Sequence, residues 1–345
     1  MAKDKNISAR LREARIKNDL TVDQLFNGIK AGNSKELGQA ITLVESSKEE
    51  DGAIASELIE KCLPLSGNSI RIGISGVPGV GKSSFIESFG SHLTSEGKSV
   101  AVLAIDPSSE KSQGSILGDK TRMNSLSQNK NAFIRPSPTS GQLGGVAQKT
   151  RESILLCEAA GYDIILIETV GVGQSEIAAR SMVDFFLLLM LAGAGDELQG
   201  IKRGIMEIAD ALVITKADGE NIGPAKVAAA NYKNAMHLLP ANKSGWAPKV
   251  LTCSSNEGIG LDVIWDMILS FQNDMKINQC FDKNRQDQSV YWMHENIKSE
   301  LFNNFYNSPE VGKKLSQMET MVRSEKLTPT AAAKKILEGI QKPEQ

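Results

Sequence analysis

The chain has 345 residues, a formal net charge of −2 and a pI near 6.1, with 41% hydrophobic and 23% charged residues. That balance describes a globular protein with a sizeable core and excludes a largely disordered chain. It also lacks the basic footprint that binding a phosphate backbone requires, so no nucleic-acid partner is expected.

The four cysteines, Cys62, Cys157, Cys253 and Cys280, are scattered, with no CxxC pair and no His–Cys cluster for zinc, which fits a reducing compartment. The N-terminus has no apolar h-region. Ile7–Lys17 is rich enough in arginine to raise a mitochondrial transit peptide, but Asp4 and Glu13 count against it, and the cytoplasm is the expected compartment. No membrane association is expected either, because the longest apolar run, Phe185–Ala192, falls well short of the about 20 residues that span a bilayer.

Residues 1–67 read as a helical extension. Thr21 with Gln24 makes a capping box ahead of the stripe Val22, Leu25, Phe26 and Ile29, which Gly32 ends. Asn33 as N-cap with Glu36 at N3 opens a second stripe, Leu37, Ala40, Ile41 and Val44.

From Ile70 the period changes. Six short apolar runs, RIGIS, VAVLAI, DIILIE, FFLLLML, ALVITK and KVLTCS, alternate with helical segments. Runs without polar alternation are strands covered on both faces, so residues 68–275 are expected to form an α/β domain, a mostly parallel sheet wrapped by helices. Ligands in such sheets bind beyond the carboxyl ends of the strands.

GVPGVGKSS, at Gly76, Val77, Pro78, Gly79, Val80, Gly81, Lys82, Ser83 and Ser84, stands between the first run and a helix and matches GxxxxGK[ST], the P-loop. Its glycines let backbone amides turn toward a polyphosphate, the helix adds its positive end, and Lys82 supplies a point charge. The bland alternative is a structural glycine turn. Ser83 is a candidate ligand for Mg²⁺, which takes hard oxygens. Asp106, Asp119 and Glu168 are candidates for the same shell, each also readable as a solvated acid or helix cap; Asp106 and Glu168 end strands expected to flank the P-loop strand. Phosphoryl transfer to water needs positioning and charge neutralisation. Lys82 and Glu168 would serve it, and Gln174, six residues after Glu168, is either a water-orienting side chain or merely solvated. No arginine is obviously placed as a finger; Arg122 and Arg151 are the ones to consider.

TKAD, Thr215–Asp218, follows a strand directly. A carboxylate at Asp218 can accept from guanine N1–H and the exocyclic amine together, a pair of donors adenine lacks. Lys216 would lie along the base plane. Guanine-binding loops usually carry Asn where this chain has Thr215, which weakens the expected support for Lys216. Ser254, Ser255 and Asn256 follow the next strand as a second base-side loop. GTP is therefore expected over ATP, with slow turnover quickened by a partner.

Residues 276–345 read as helical. Ser308 with Pro309 and Thr328 with Pro329 open two helices, and Val290, Met293, Ile297 and Leu301 make a further stripe. So short an arm does not easily bury such stripes alone, which points to a homodimer; packing against its own chain is the alternative.

ETVGVGQSE, with glutamate where an aspartate is usual, together with DPSS, GSILGDKTRM, SGQLGGVA and AGAGDELQGIKRGIMEIAD, closely resembles the MeaB/ArgK family, GTPases that serve adenosylcobalamin-dependent methylmalonyl-CoA mutase. The likeness covers nearly the whole chain, from ITLVES to QDQSVYWM. It implies a homodimeric chaperone that couples GTP hydrolysis to loading, protecting or reactivating a cobalamin-dependent acyl-CoA mutase, with the loop around Asp196 and Lys202 as an extra switch relaying partner contact. Two departures stand out: Ser84 replaces the Thr common after GKS, and KSQGS lacks one glycine of the usual GGS. A nickel-delivery GTPase would share the glutamate-bearing switch but needs clustered His or Cys ligands, and His92, His237 and His294 are isolated. A kinase or ATPase linked to amino-acid transport would need adenine recognition and a phosphoacceptor site, neither of which is visible.

Overall fold

The computed structural model describes residues 21–46, 48–105, 123–136, 143–169, 174–193, 203–237 and 245–338. Residues 1–288 form one compact unit and residues 289–345 a second.

The N-terminal helices start where their caps put them. At α1 (Val22–Lys30) the Gln24 amide donates to the Thr21 hydroxyl at 3.3 Å and the Thr21 amide donates to the Gln24 side chain at 2.8 Å. At α2 (Ser34–Glu45) the Lys35 amide donates to the Asn33 side chain at 3.0 Å. The buried stripe of α2, Leu37, Ala40, Ile41 and Val44, packs on α3 (Glu49–Cys62) and on the helix at Leu143–Ala159. Where α2 ends, the Lys149 ammonium donates to the carbonyls of Glu45 and Ser46, a cation placed where the helix dipole is negative. The Arg135 guanidinium pairs with the Glu45 carboxylate and donates to the Thr42 hydroxyl at 3.1 Å.

Seven strands, β1 (Ile70–Gly76), β2 (Val100–Ile105), β3 (Ala132–Arg135), β4 (Ile164–Thr169), β5 (Phe185–Met190), β6 (Ala211–Ile214) and β7 (Lys249–Thr252), form one parallel sheet in the order β3-β2-β4-β1-β5-β6-β7. Between them run α4 (Lys82–Ser95), α5 (Asn124–Ser127), α6 (Leu143–Ala159), α7 (Gln174–Arg180), α8 (Arg203–Glu207) and α9 (Ile222–Met236), and after β7 comes α10 (Leu261–Ile277). All six residues of β5 are buried, as a strand covered on both faces requires. On one face Ile70, Ile72, Ile74, Phe185, Leu187 and Leu189 join Phe85 and Phe89 of α4 and Trp265, Ile268 and Phe271 of α10 in a single core. Phe185 meets Phe271 edge-on at 4.9 Å. On the other face Gly73 leaves room for Phe186, since a Cβ there would lie 2.9 Å from its ring.

Two details of the sheet depart from the sequence reading. β3 is a seventh strand, four half-buried residues at the sheet edge, absent from the six apolar runs. The strand leading to Asp106 does not flank β1, because β2 pairs with β3 and β4; the neighbours of β1 are β4 and β5.

Opposite the strands' carboxyl ends lies a cluster of paired charges. Arg285, near the start of α11 (Cys280–Tyr306), donates to both oxygens of Asp184 at 2.8 and 2.6 Å and to the carbonyls of Gly67 and Ser69, each at 2.6 Å. Arg71 makes a forked pair with Glu158 at 2.8 and 2.9 Å. Both carboxylates are buried.

In the second unit, α12 (Pro309–Arg323) and α13 (Pro329–Glu338) follow Ser308 and Thr328 with proline at the first helical position, and the two pack together. A groove of about 470 Å³ lies among Phe305, Leu315, Met318, Val322, Ala333 and Leu337. Val290, Met293, Ile297 and Leu301 of α11 are 54%, 51%, 49% and 66% exposed.

Arg285→Ala is expected to strand the Asp184 carboxylate without a cation and to destabilise the first unit by about 3–5 kcal/mol. Urea unfolding at neutral pH checks this, with the paired Asp184→Asn, Arg285→Met variant expected to recover much of the loss.

Candidate nucleotide site

β1 ends in a turn that only glycine permits at its first position. A Cβ on Gly76 would lie 2.6 Å from the Leu189 carbonyl oxygen and 3.0 Å from the Val80 side chain. The chain turns through Val77–Val80, with the Val80 amide donating to the Val77 carbonyl at 3.2 Å, and Gly81, at φ +92°, leads into α4. The first amides of α4, at Lys82, Ser83 and Ser84, have no carbonyl one turn back and are free for an anion. Lys82 folds back so that Nζ donates to the Gly76 carbonyl at 2.8 Å. Burial pushes its pKa down, while the carboxylates of Glu168 and Glu176 oppose this and favour the ammonium.

Glu168 sits near the end of β4, opposite Ile74 of β1 and Ala104 of β2. The Ser83 hydroxyl donates to its Oε1 at 3.4 Å, which brings two hard oxygens together beside the phosphate turn. Asp106, Asp119, Arg122, Asp196 and Lys202 lie outside the described residues, as does the side chain of Gln174, the first residue of α7. Arg151 interacts with Arg71 and Glu158, at the end of the sheet opposite the glycine turn.

The base-side loops are tied to this turn. Thr215, buried beyond β6, donates its hydroxyl to the Val80 carbonyl at 2.7 Å, with the Met190 carbonyl at 3.3 Å. Far from loosening the loop, the threonine clamps it to the phosphate turn; the sequence shows only the departure from Asn. Lys216 takes φ +56°, its carbonyl accepts from the Asn221 amide side chain at 2.6 Å, and its Nζ donates to the Gly79 carbonyl at 3.0 Å. Asp218 accepts from the Ser254 hydroxyl. Ser254 and Ile259 bridge through both main-chain bonds, at 3.0 and 3.1 Å, closing the loop that carries Ser255 and exposed Asn256. Gly260 ends that loop at φ +79°, where a Cβ would lie 2.7 Å from the Thr252 carbonyl oxygen. Ser88 of α4, unremarked in the sequence, donates to the Ser255 carbonyl at 2.7 Å.

An amide-lined turn with a returning lysine, a hydroxyl–carboxylate pair at its rim and an acid-bearing loop clamped beside it define a P-loop nucleotide-binding protein of the GTPase class. The family described as Methylmalonyl Co-A mutase-associated GTPase MeaB matches residues 37–310. The chain belongs to this family of GTPases. It is 44% identical over 324 residues to GTPase ArgK of Escherichia coli, covering 94% of this chain and 98% of that one. It is 47% identical over 328 residues to the Methylmalonic aciduria type A homolog, mitochondrial, of Mus musculus, covering 92% and 79%. Among solved structures, the one described as LAO/AO transport system kinase superposes with a TM-score of 0.74 at 38% identity, covering 94% of this chain and 99% of that one. Among the described residues no helix is long and apolar enough to cross a membrane.

Thr215→Val keeps the side-chain shape and leaves the Val80 carbonyl unpaired, a change of about 1 kcal/mol. Release of fluorescent GDP in stopped flow is expected to quicken about fivefold, while Thr215→Ser is expected to stay near the wild-type rate.

Proposed function

We propose that the chain is a magnesium-dependent GTPase that assists an adenosylcobalamin-dependent acyl-CoA mutase, methylmalonyl-CoA mutase in the first place, in loading, protecting or reactivating its cofactor. The observation that carries the partner is the family match over residues 37–310, whose description names a mutase-associated GTPase. The name of the mouse relative points the same way.

In this reading the amides of Gly79–Ser84 and the Lys82 ammonium hold the phosphates, and Asp218 accepts from the guanine edge with Lys216 along the base. Ser83 and Glu168 would hold Mg²⁺, with Asp106 and Asp119 completing the protein's share of the shell. Their fit rests on donor chemistry and spacing: both are hard oxygens, and 3.4 Å is close to the about 3 Å that separates neighbouring ligands on an octahedral ion of this size. When bound, the ion neutralises charge on the transferred phosphoryl group. Gln174, in the first turn after the switch segment, orients the attacking water. Unaided turnover is slow, and the loop around Asp196 and Lys202 relays contact with the mutase.

Residues 1–67 serve as a helical extension, 68–275 as the GTPase domain and 276–345 as a dimerisation arm, and the protein works in the cytoplasm. The exposed stripe Val290, Met293, Ile297 and Leu301 is the surface that a second copy would cover.

GTP turnover by the purified protein is expected to rise on adding an adenosylcobalamin mutase, with the two co-eluting, and Lys82→Ala is expected to abolish turnover in both conditions. Unchanged turnover without co-elution removes the partner assignment and leaves the GTPase standing. Light scattering is expected to report twice the 37.2 kDa chain mass for the wild type and a single chain for Leu301→Glu.

A further inference from the structure

Glu176 is a fully buried carboxylate that the nucleotide chemistry has not used. It lies in the first turn of α7, and its hydrogen-bond partners among the described residues are two serine hydroxyls, Ser75 to Oε1 at 3.4 Å and Ser175 to Oε2 at 3.3 Å. Hydroxyl–carboxylate bonds ordinarily run about 2.5–2.7 Å, so neither serine satisfies the charge well. A buried carboxylate is costly without a cation, and the Lys82 ammonium interacts with it electrostatically.

Ser75 immediately precedes Gly76, whose carbonyl holds the Lys82 ammonium at 2.8 Å. Ile70, Ile72 and Ile74 face α4 and α10, so Ser75, one position on, faces the other side of the sheet together with Glu176. The strand that leads into the glycine turn is thus backed on its other face by a buried carboxylate, and that carboxylate acts on the Lys82 ammonium at the turn. Glu168 also acts on Lys82, but it stands beside Ser83, where the Mg²⁺ of the proposed reading would offset it. No such cation site adjoins Glu176 among the described residues. Once phosphate oxygens engage Lys82, Glu176 repels them, and a tail of three phosphates feels this more than a tail of two.

We propose that Glu176 is a specificity-determining residue that weakens the hold on the third phosphate and so sets the balance between GTP and GDP. This rests on the guanine-nucleotide reading of the site.

Calorimetric titration with GDP and with a non-hydrolysable GTP analogue, magnesium present, tests it in the full-length wild type and in Glu176→Gln. Removing one charge several ångströms away is expected to tighten the GTP analogue about tenfold relative to GDP. Glu176→Met covers the case in which the glutamine variant does not fold, because exchanging a buried charge for an apolar side chain of similar length is often neutral or stabilising; the same shift is expected of it. An unchanged ratio, or equal weakening of both nucleotides, marks Glu176 as a structural anchor of α7 and overturns the proposal. Absence of any GDP binding by the wild type removes the nucleotide reading along with it.

Discussion

The site depends on how closely β1 passes β5 at Gly76. A methyl group there would meet the Leu189 carbonyl at 2.6 Å, so any side chain would force the central strands apart where the chain must fold back on itself. Because the main chain passes unobstructed, Val80 is buried under the turn, α4 starts directly above the sheet, and the Lys82 stem has a carbonyl to return to. The helix whose first amides stand open to an anion is the same helix whose Phe85 and Phe89 fill the core beneath. Phosphate binding and core packing are two faces of one element, which is how a loop rich in glycine stays ordered enough to bind.

Along the central strands the charges differ by end, while Glu45 with Arg135 at the close of β3 and Asp163 with Ser99 at the start of β2 and β4 follow the opposite arrangement. Where the strands begin, carboxylates meet arginines: Glu158 with Arg71, Asp184 with Arg285, and Asp210 with Arg180 at 3.0 Å. Where the strands finish, carboxylates meet serine hydroxyls: Glu168 with Ser83, Glu176 with Ser75, Asp218 with Ser254. The first arrangement is self-sufficient and staples the sheet. The second leaves acceptor capacity for a cation and for the donors of a base, and ligand chemistry in a parallel sheet belongs at that end.

Much of this is local and therefore legible in the residues themselves. Caps at Thr21 and Asn33 announce their helices within three positions, and the glycine turn carries its constraint in nine letters. Six strands announce themselves as unbroken apolar runs because both faces are covered. Ala132–Arg135 does not, since a four-residue edge strand that is half-buried needs no such run. Strand order is likewise silent, and the residues alone put the strand before Asp106 beside β1, where the sheet has β4 between them. The remaining gaps are long-range partners. Thr215 reaches Val80 across 135 positions and Glu176 reaches Ser75 across 101, and nothing in either neighbourhood names the group it will meet.

The clasp formed by Lys149 and Arg135 on the end of α2 changes what counts as the minimal folded piece. A fragment beginning at the first strand would keep every side chain of the candidate nucleotide site described above. It would also bare the greasy surface of α6 that Leu37, Ile41 and Val44 cover, and leave the Arg135 and Lys149 cations without the acceptors they meet at the end of α2. The leading helices are therefore part of the folded unit that carries the glycine turn, since the apolar face they cover belongs to a helix of the sheet's own layer.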